Sequence, residues 1–292
     1  MTIIDNLFNK SKLFFGKRRW IRRTRFFPFD MGFAYINVCN GKKIFLEPND
    51  MQGPSFHILY GGEAAFKMYE LVDKNEILIA LRKTRGMFLD VGANIGLFSF
   101  YVALNMPECE IMAFEPNPKS LQCLKKTCLE NNFSNITISS FALSDVAQDI
   151  TLYCDTNNDG AHTILKEKLE MGPSVFETLI HTKSLDELWK FDSEILVSVI
   201  KVDIQGFELN MLRGAQKTIK KYLPLILVEC DNKNLLEDEN VYTFLLSLST
   251  EKTMTCRHSG ENIPLDLSDI KNRAIRDLNE GLLERNLIFS WN

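Results

Sequence analysis

The chain has 292 residues, of which 45% are hydrophobic and 25% charged, and its formal net charge is −4. This composition is typical of a folded globular protein and excludes an intrinsically disordered chain. No apolar run approaches the roughly 18 residues of a membrane-spanning helix, and the N-terminus lacks the pattern of a signal peptide. The seven cysteines are scattered without a Cys-x-x-Cys pair, which is typical of a reducing compartment. We therefore expect a cytoplasmic protein.

Residues 1–30 form a basic arm. They contain eight lysines and arginines and two aspartates, a net charge of +6, whereas the rest of the chain carries −10. Apolar residues in the first half of the arm fall on one side of a helical wheel and aromatic residues follow the basic cluster, which suits an anionic membrane surface. A helix docked on the core with solvated basic residues explains the same pattern. We therefore predict either a docked helix or peripheral contact of residues 1–27 with the inner face of the membrane, and no nucleic-acid partner.

Residues 31–84 are predicted to be an addition that precedes the main sheet. The stretch from Phe33 to Cys39 alternates in the manner of a strand, and Asn40-Gly41 suits a type I′ turn into a second strand over 43–47. A helical pattern then runs from about Glu63 to Lys83. The sequence therefore predicts a hairpin followed by one long helix.

Residues 87–96, Met-Phe-Leu-Asp-Val-Gly-Ala-Asn-Ile-Gly, combine an apolar run with a glycine-rich turn and the start of a helical pattern. They predict a buried parallel strand whose loop lets backbone amides approach a nucleotide cofactor closely. The spacing of an acid, two glycines and an asparagine departs from the Gly-x-Gly-x-x-Gly pattern of dinucleotide sites and favours S-adenosylmethionine. The residues assigned here to the cofactor site are Asp90, Gly92, Ala93, Asn94 and Gly96.

A second apolar run ends at Glu115 and Pro116, and a new helical pattern opens at Pro118. In a doubly wound sheet, ligands bind beyond the carboxyl ends of the strands, and an acid about 20 residues after the glycine loop is placed to accept hydrogen bonds from both ribose hydroxyls. We assign Glu115 and Pro116 to the cofactor site on this basis. Alternatively, Glu115 only favours the N-terminus of the helix, where negative charge is stabilised.

The next predicted strand, 135–140, leads to Ala142 and Leu143, a turn that we place beside the adenine of the cofactor. The following segment, 146–197, is too long for a simple crossover, and insertions of this kind shape substrate pockets. His181 in this insertion is a candidate base and His162 a second one, although an isolated histidine also suits a structural or surface position.

Two further strands are predicted to end in carboxylates, Asp203 after 198–202 and Glu229 after 224–228. Both would point into one crevice, because the carboxyl ends of parallel strands meet at the same edge of a sheet. We predict that Asp203 borders the cofactor and either acts as general base or orients the acceptor, and that Glu229 is a further catalytic residue. Alternatively, Asp203 only holds the turn at Gly206 by local hydrogen bonds. A divalent metal would suit paired carboxylates, but no third ligand stands at a readable spacing, so no metal site is predicted.

Three ordered blocks resemble the FkbM family of S-adenosylmethionine-dependent methyltransferases. They are Val-Gly-Ala-Asn-Ile-Gly at 91–96, Phe-Glu-Pro-Asn-Pro at 114–118, and Lys-Val-Asp-Ile-Gln-Gly-Phe-Glu at 201–208 with a following Leu-Arg-Gly-Ala. The resemblance covers about residues 86–231, and the chain departs from the family pattern at Gln205 and Phe207, which bear on the substrate. It implies an α/β, doubly wound, Rossmann-like class I methyltransferase domain over 85–292, whose mostly parallel sheet ends in an antiparallel C-terminal strand.

The resemblance also implies O-methylation of a hydroxyl group, either on a sugar of a surface glycan or glycolipid or on a natural product. The basic arm would fit a lipid-linked glycan acceptor. Two alternatives stay open. A nicotinamide-dependent oxidoreductase or epimerase is disfavoured because the chain lacks Gly-x-Gly-x-x-Gly and a Tyr-x-x-x-Lys pair. A non-catalytic, membrane-associated binding protein would be expected to have lost cofactor residues, and none is lost.

Overall fold

The computed structural model describes residues 29–30, 32–169, 174–188, 196–249 and 252–292, so the predicted membrane-contacting arm at 1–27 lies outside the described residues. The described strands are β1 Phe29–Asp30, β2 Phe33–Asn37, β3 Lys43–Leu46, β4 Met87–Val91, β5 Ile111–Phe114, β6 Ile136–Ser139, β7 Ala142–Leu143, β8 Asp149–Asp155, β9 Val175–Lys183, β10 Val197–Val202, β11 Leu225–Asp231, β12 Met254–His258 and β13 Glu284–Trp291. The described α-helices are α1 Pro54–Met68, α2 Leu71–Thr84, α3 Leu97–Asn105, α4 Pro118–Asn131, α5 Leu185–Leu188, α6 Glu208–Arg213, α7 Gln216–Tyr222, α8 Val241–Ser247 and α9 Leu267–Asn279.

The central sheet has seven strands in the order β12-β13-β11-β10-β4-β5-β6. The pairings among β11, β10, β4, β5 and β6 are parallel, and β13 pairs antiparallel with both β11 and β12. All six residues of β10 are buried, as expected for a parallel strand that is covered on both faces. The predicted fold class, a mostly parallel doubly wound sheet with an antiparallel C-terminal strand, is confirmed.

Two apolar cores lie on opposite faces of this sheet. One contains buried residues of α1, α2, α3 and α4, and the other contains buried residues of α6, α7, α8 and α9. Because each helix turns an apolar stripe toward the sheet, the strands are shielded and their carboxyl ends form the open edge. Among the described helices, none is long and apolar enough to cross a membrane.

The predicted hairpin is present, with β2 and β3 antiparallel and a turn that contains Asn40 and Gly41 at positive φ angles of 60° and 69°. It is fixed to α4 by side-chain contacts to its backbone. The Asn131 side chain accepts from Lys43 N (2.8 Å) and donates to Lys43 O (2.6 Å), and Thr127 Oγ1 accepts from Phe45 N (2.9 Å). The N-terminal addition is thus packed on α4, one of the helices that cover the central sheet.

The prediction of a single helix over 63–83 is wrong. The chain forms α1 and α2, which are separated at Tyr69 and Glu70, and Glu70 has the left-handed backbone conformation (φ 45°, ψ 44°). Lys74 lies in the second helix, and its ammonium donates to Phe66 O in the last turn of the first (2.7 Å). The helical apolar pattern continues on both sides of the break, so the pattern alone does not reveal it. Residues 208–222 likewise form two helices, α6 and α7.

The insertion that follows β7 forms, together with β7, a separate three-stranded sheet in the order β7-β9-β8. Strands β8 and β9 are antiparallel, and β7 joins β9 in parallel. The strap, residues 157–163, follows β8, and its residues 158–163 line a cavity at the carboxyl ends of the central strands.

Candidate active site

A cavity of about 470 Å³ lies at the carboxyl ends of β4, β5, β10 and β11. It is bordered by the junction of α1 and α2, by the glycine loop after β4, by the strap and by the small sheet of the insertion. This position, beyond the strand ends of a doubly wound sheet, is where such folds bind ligands.

The glycine loop packs closely against the ends of two neighbouring strands. The backbone N–H groups of Gly92 and Ala93 both donate to Phe114 O at 3.0 Å. Gly92 has a φ of 78°, and a Cβ atom at this position would overlap the carbonyl oxygen of Asp203. Only glycine suits both constraints, so the loop is fixed in shape by its neighbours.

Asp90, which the sequence assigns to the cofactor site, does not line the cavity. Its carboxylate is fully buried below the loop, where Oδ2 accepts from Ser99 N (3.1 Å) and Ser99 Oγ (2.6 Å) in the first turn of α3. Gly96 is also outside the cavity lining, and a Cβ atom there would overlap the side chains of Leu124 and Phe100. Both residues shape the loop from beneath and do not line the cavity.

Glu115 lines the cavity and organises the backbone around it. Its Oε2 atom accepts from Asn94 N (2.7 Å) and its Oε1 atom accepts from Asn117 N (2.7 Å). Burial raises the pKa of Glu115 to about 7, although the two amide donors oppose this shift. Each carboxylate oxygen has a second lone pair, so the group can accept from two further donors. The N-terminus of α4 is capped by Asn117, whose Oδ1 accepts from Lys119 N (2.8 Å).

The other end of the cavity contains the predicted pair of carboxylates. Lys201 Nζ lies 2.8 Å from Asp203 Oδ2, and Gln205 Nε2 donates to Glu229 Oε2 (2.8 Å) and Asp203 Oδ1 (3.4 Å). The Lys201 ammonium holds the pKa of Asp203 below its usual range despite burial. The charge of Asp203, together with burial, raises the pKa of Glu229 far above its usual value. At neutral pH, Asp203 is therefore ionised and Glu229 carries a proton.

A third carboxylate, Glu70, reaches this end from the break between α1 and α2. Burial raises its pKa to about 7, with the nearby charges of Lys201 and Asp203 acting in opposite directions. The Tyr69 hydroxyl is its hydrogen-bond partner. A non-glycine residue in the left-handed region is uncommon, and such residues concentrate at functional sites.

The family model of the Methyltransferase FkbM domain matches residues 90–252, more than half of the chain. The chain belongs to the FkbM methyltransferase family. Methyltransferase 1 of Beauveria bassiana is 30% identical over 165 residues, which are 50% of this chain and 65% of that protein. Methyltransferase sdnD of Sordaria araneosa is 25% identical over 204 residues, 60% of this chain and 78% of that protein. The solved structure of methyltransferase FkbM from Methylobacillus flagellatus KT matches with a TM-score of 0.45 and 18% identity over 70% of this chain and 43% of that one.

In this FkbM-family chain, most residues assigned to the cofactor from the sequence do line the cavity. They are Gly92, Ala93, Asn94, Glu115, Pro116, Ala142, Leu143 and Asp203. The catalytic candidate Glu229 lines it as well. Among the described residues, no group of three or more His, Cys, Asp or Glu side chains is placed to hold a metal ion.

His181, predicted from the sequence as a base, does not line the cavity. It lies on β9 between Ile180 and Thr182, which do line the cavity, and successive side chains of a strand point to opposite faces. Its ring is exposed, with Nδ1 2.8 Å from Asp149 Oδ1 on the paired strand. It therefore belongs to the outer face of the insertion.

Several cavity residues of this family member are absent from the sequence prediction. Lys201 stands inside the Lys-x-Asp block, but the sequence alone predicts only that it is part of a strand. Tyr69 and Glu70 lie within the single helix that the pattern predicts, and the left-handed break that turns them into the cavity has no glycine to mark it. The ring of Phe98, in α3, lies under the Lys201 ammonium at 4.6 Å.

Proposed function

We propose that this protein uses S-adenosylmethionine to methylate a hydroxyl group, most simply one on a sugar of a glycan, a glycolipid or a natural product. The proposal rests on one observation: a single cavity has Glu115 and the glycine loop at one end and the Glu70–Lys201–Asp203–Glu229 cluster at the other. Family membership supports methyl transfer, and the two ends provide for a nucleoside and for acid–base chemistry.

The residues at the first end fit the nucleoside of the donor. Glu115 can accept from both ribose hydroxyls while it keeps its bonds to two backbone amides. The adjoining lining is apolar and would hold the adenine; it includes Phe141, Ala142, Leu143, Leu152, Ile164 and Ile180. The carboxylates at the second end favour the positive charge of a sulfonium. When bound, S-adenosylmethionine supplies an activated methyl group.

The protein's own contribution is alignment, exclusion of water and a place for the hydroxyl proton. Among the three carboxylates, Asp203 is paired with Lys201 and Glu229 is already protonated. Glu70 has a pKa of about 7, which is the range that suits a general base at neutral pH. We therefore assign proton removal to Glu70, and orientation of the acceptor to Asp203 and the Glu229 carboxyl group.

The acceptor end suits hydroxyl groups, because carboxylates and the Gln205 amide offer both hydrogen-bond acceptors and donors. Negative charges there disfavour a phosphorylated acceptor. A lipid-linked glycan at the inner face of the membrane remains part of this proposal through the basic arm at 1–30, and we place the reaction in the cytoplasm.

Calorimetric titration of the purified protein with S-adenosylhomocysteine, beside NAD and NADP, tests the cofactor. Binding of S-adenosylhomocysteine alone supports the proposal. Failure of the folded protein to bind it would refute the proposal, and binding of NAD instead would favour an oxidoreductase or epimerase.

The bond that is formed can be tested with methyl-tritiated S-adenosylmethionine and a panel of methyl glycosides. An ether survives mild alkali, whereas a methyl ester is hydrolysed, so alkali-stable label on a neutral glycoside supports O-methylation of a hydroxyl. Label found only on amine-bearing probes would contradict it.

A further inference from the structure

The strap is tied to separate walls of the cavity. Asp159 O accepts from Asn94 Nδ2 at 2.6 Å, which joins the strap to the glycine loop. Thr163 Oγ1 donates to Gln205 O at 2.8 Å, which joins it to the loop after β10. Its backbone is therefore fixed across the cavity and is not a free surface loop.

The strap is also anchored in the N-terminal addition. Ser55 Oγ lies 2.5 Å from Asp159 Oδ2, and Met51 N donates to Asn157 O at 2.8 Å. A Cβ atom at Gly53 would overlap the Asp159 carboxyl group, so the two segments are in close contact. The residues that follow Asp159 are held in place from both sides.

Among the described residues, one polar atom of the glycine loop and one of the strap lack a hydrogen-bond partner. They are Oδ1 of Asn94, on the glycine loop, and Nδ1 of His162, on the strap; both atoms are buried and both residues line the cavity. Buried polar atoms in native proteins are nearly always hydrogen-bonded. Two such atoms beside one cavity indicate a ligand that brings the missing partners.

Both residues lie at the Glu115 end. Asn94 N donates to Glu115 Oε2 at 2.7 Å. Thr163, the residue after His162, exchanges backbone hydrogen bonds with Tyr153 (2.8 and 3.0 Å), and the neighbouring Cys154 Sγ accepts from Asn117 Nδ2 at 3.1 Å, two residues after Glu115. Burial lowers the pKa of His162 to about 4, so the ring is neutral at physiological pH and has one donor and one acceptor nitrogen.

The donor and acceptor balance restricts the ligand. The carboxylate of Glu115 and Oδ1 of Asn94 only accept, so the ligand must bring hydrogen-bond donors to them. A hydroxyl both donates and accepts, and it therefore matches either tautomer of His162. A ligand carboxylate would place further acceptors beside two acceptors.

We propose that Asn94 Oδ1 and His162 form a second wall of the ribose subsite, so that the vicinal diol of the nucleoside is bound between them and Glu115. The insertion thus contributes a cofactor-binding residue of its own. This inference rests on the proposed function, because it takes the nucleoside from S-adenosylmethionine.

Calorimetry with adenosine, 2′-deoxyadenosine and 3′-deoxyadenosine tests this wall in the wild type and in His162→Phe, which keeps an aromatic ring but removes both nitrogens. We expect His162→Phe to weaken adenosine binding about tenfold, as for loss of one hydrogen bond. The deoxynucleoside that lacks the hydroxyl bound by His162 should lose less than about twofold in affinity, because it makes no hydrogen bond to this residue in the wild type. His162→Gln, which restores a donor and an acceptor, should recover most of the affinity. His181→Phe is the matched control in the same insertion and should change nothing.

An equal loss for all three nucleosides would overturn the proposal in favour of packing alone, and so would unchanged binding in His162→Phe. Thermal unfolding without ligand verifies that each variant is folded. If the folded wild type binds neither S-adenosylhomocysteine nor adenosine, the proposed function fails and this inference with it. If the wild type binds both and the deoxynucleoside difference is absent, only the role of His162 fails.

Discussion

Replacing Glu115 by glutamine is the sharpest perturbation of the cofactor site, because it keeps the shape of the side chain. In the wild type, both carboxylate oxygens accept from backbone amides, Asn94 N and Asn117 N, at 2.7 Å. In Glu115→Gln, one oxygen becomes an NH₂ group that faces an N–H donor, and it can no longer accept from a ribose hydroxyl. Hydrogen bonds to a charged group contribute about 1.5–3 kcal/mol each.

Loss of one such hydrogen bond to a ribose hydroxyl, together with weakening of a second, should reduce the free energy of binding by about 3 kcal/mol. This corresponds to roughly a 100-fold increase in the Kd for S-adenosylhomocysteine. Isothermal titration calorimetry measures this directly. Glu47→Gln is the matched control, because Glu47 is also a largely buried carboxyl group with a raised pKa but does not line the cavity, and we expect it to leave the Kd unchanged.

A Kd for Glu115→Gln within about threefold of the wild type would refute the reasoning, since less than about 0.7 kcal/mol would then depend on the carboxylate. An equal loss in Glu47→Gln would also refute it, because the effect would then come from general disturbance of buried carboxyl groups. Urea unfolding of both variants separates these outcomes from misfolding.

Three further predictions follow from the same geometry. Burial raises the pKa of Glu115 to about 7, and hydroxyl donors favour its ionised form, so S-adenosylhomocysteine should bind more weakly at pH 6 than at pH 8, and its binding should release protons near pH 7. Calorimetry in two buffers of different ionisation enthalpy measures this release, and proton release that persists in Glu115→Gln would contradict the prediction. Gly92→Ala should destabilise the protein by at least about 2 kcal/mol more than Gly41→Ala in urea unfolding, because both positions have positive φ but only Gly92 meets a carbonyl oxygen; equal losses would contradict this. Burial lowers the pKa of Lys74 from 10.5 to about 7, so between these pH values the unfolded chain binds more protons than the folded chain and stability rises with pH. The difference in the free energy of unfolding between the wild type and Lys74→Met should therefore change by about 2 kcal/mol in favour of the wild type from pH 7.5 to pH 9.5. A difference that stays constant over this range would contradict the prediction.

The sequence predicts the placement of those cavity residues that depend on local chain chemistry. Gly92, Glu115, Asp203 and Glu229 stand at the ends of apolar runs, and parallel strands bring such ends to one edge of the sheet. The order of these strands follows from connection rules, so the approach of carboxylates that are distant in the chain can be expected from the sequence.

The parts that failed depend on features with no local signal. Glu70 enters the cavity through a left-handed residue inside a continuous helical pattern, and neither glycine nor proline marks that break. Whether the His181 side chain points into the cavity depends on which face of β9 it occupies, and a shift of one residue in strand register exchanges the two faces. His162 is a candidate base by residue type alone, but its position in the cavity lining requires the long-range contacts of Asp159, whose partners lie 65 or more residues away in sequence.

The region shared with the family is not a separate folding unit. The match ends at residue 252, yet β13 lies between β11 and β12 in the sheet. Outside the match, Glu76 forms a two-pronged ion pair with Arg257 (2.7 and 2.8 Å), and Asn286 donates to Asp73 (2.8 Å), so the segments before and after it hold each other. Transfer of the matched region between relatives together with only one of its flanking segments would therefore break these contacts, so a functional chimera must keep or transfer the two flanking segments as a pair.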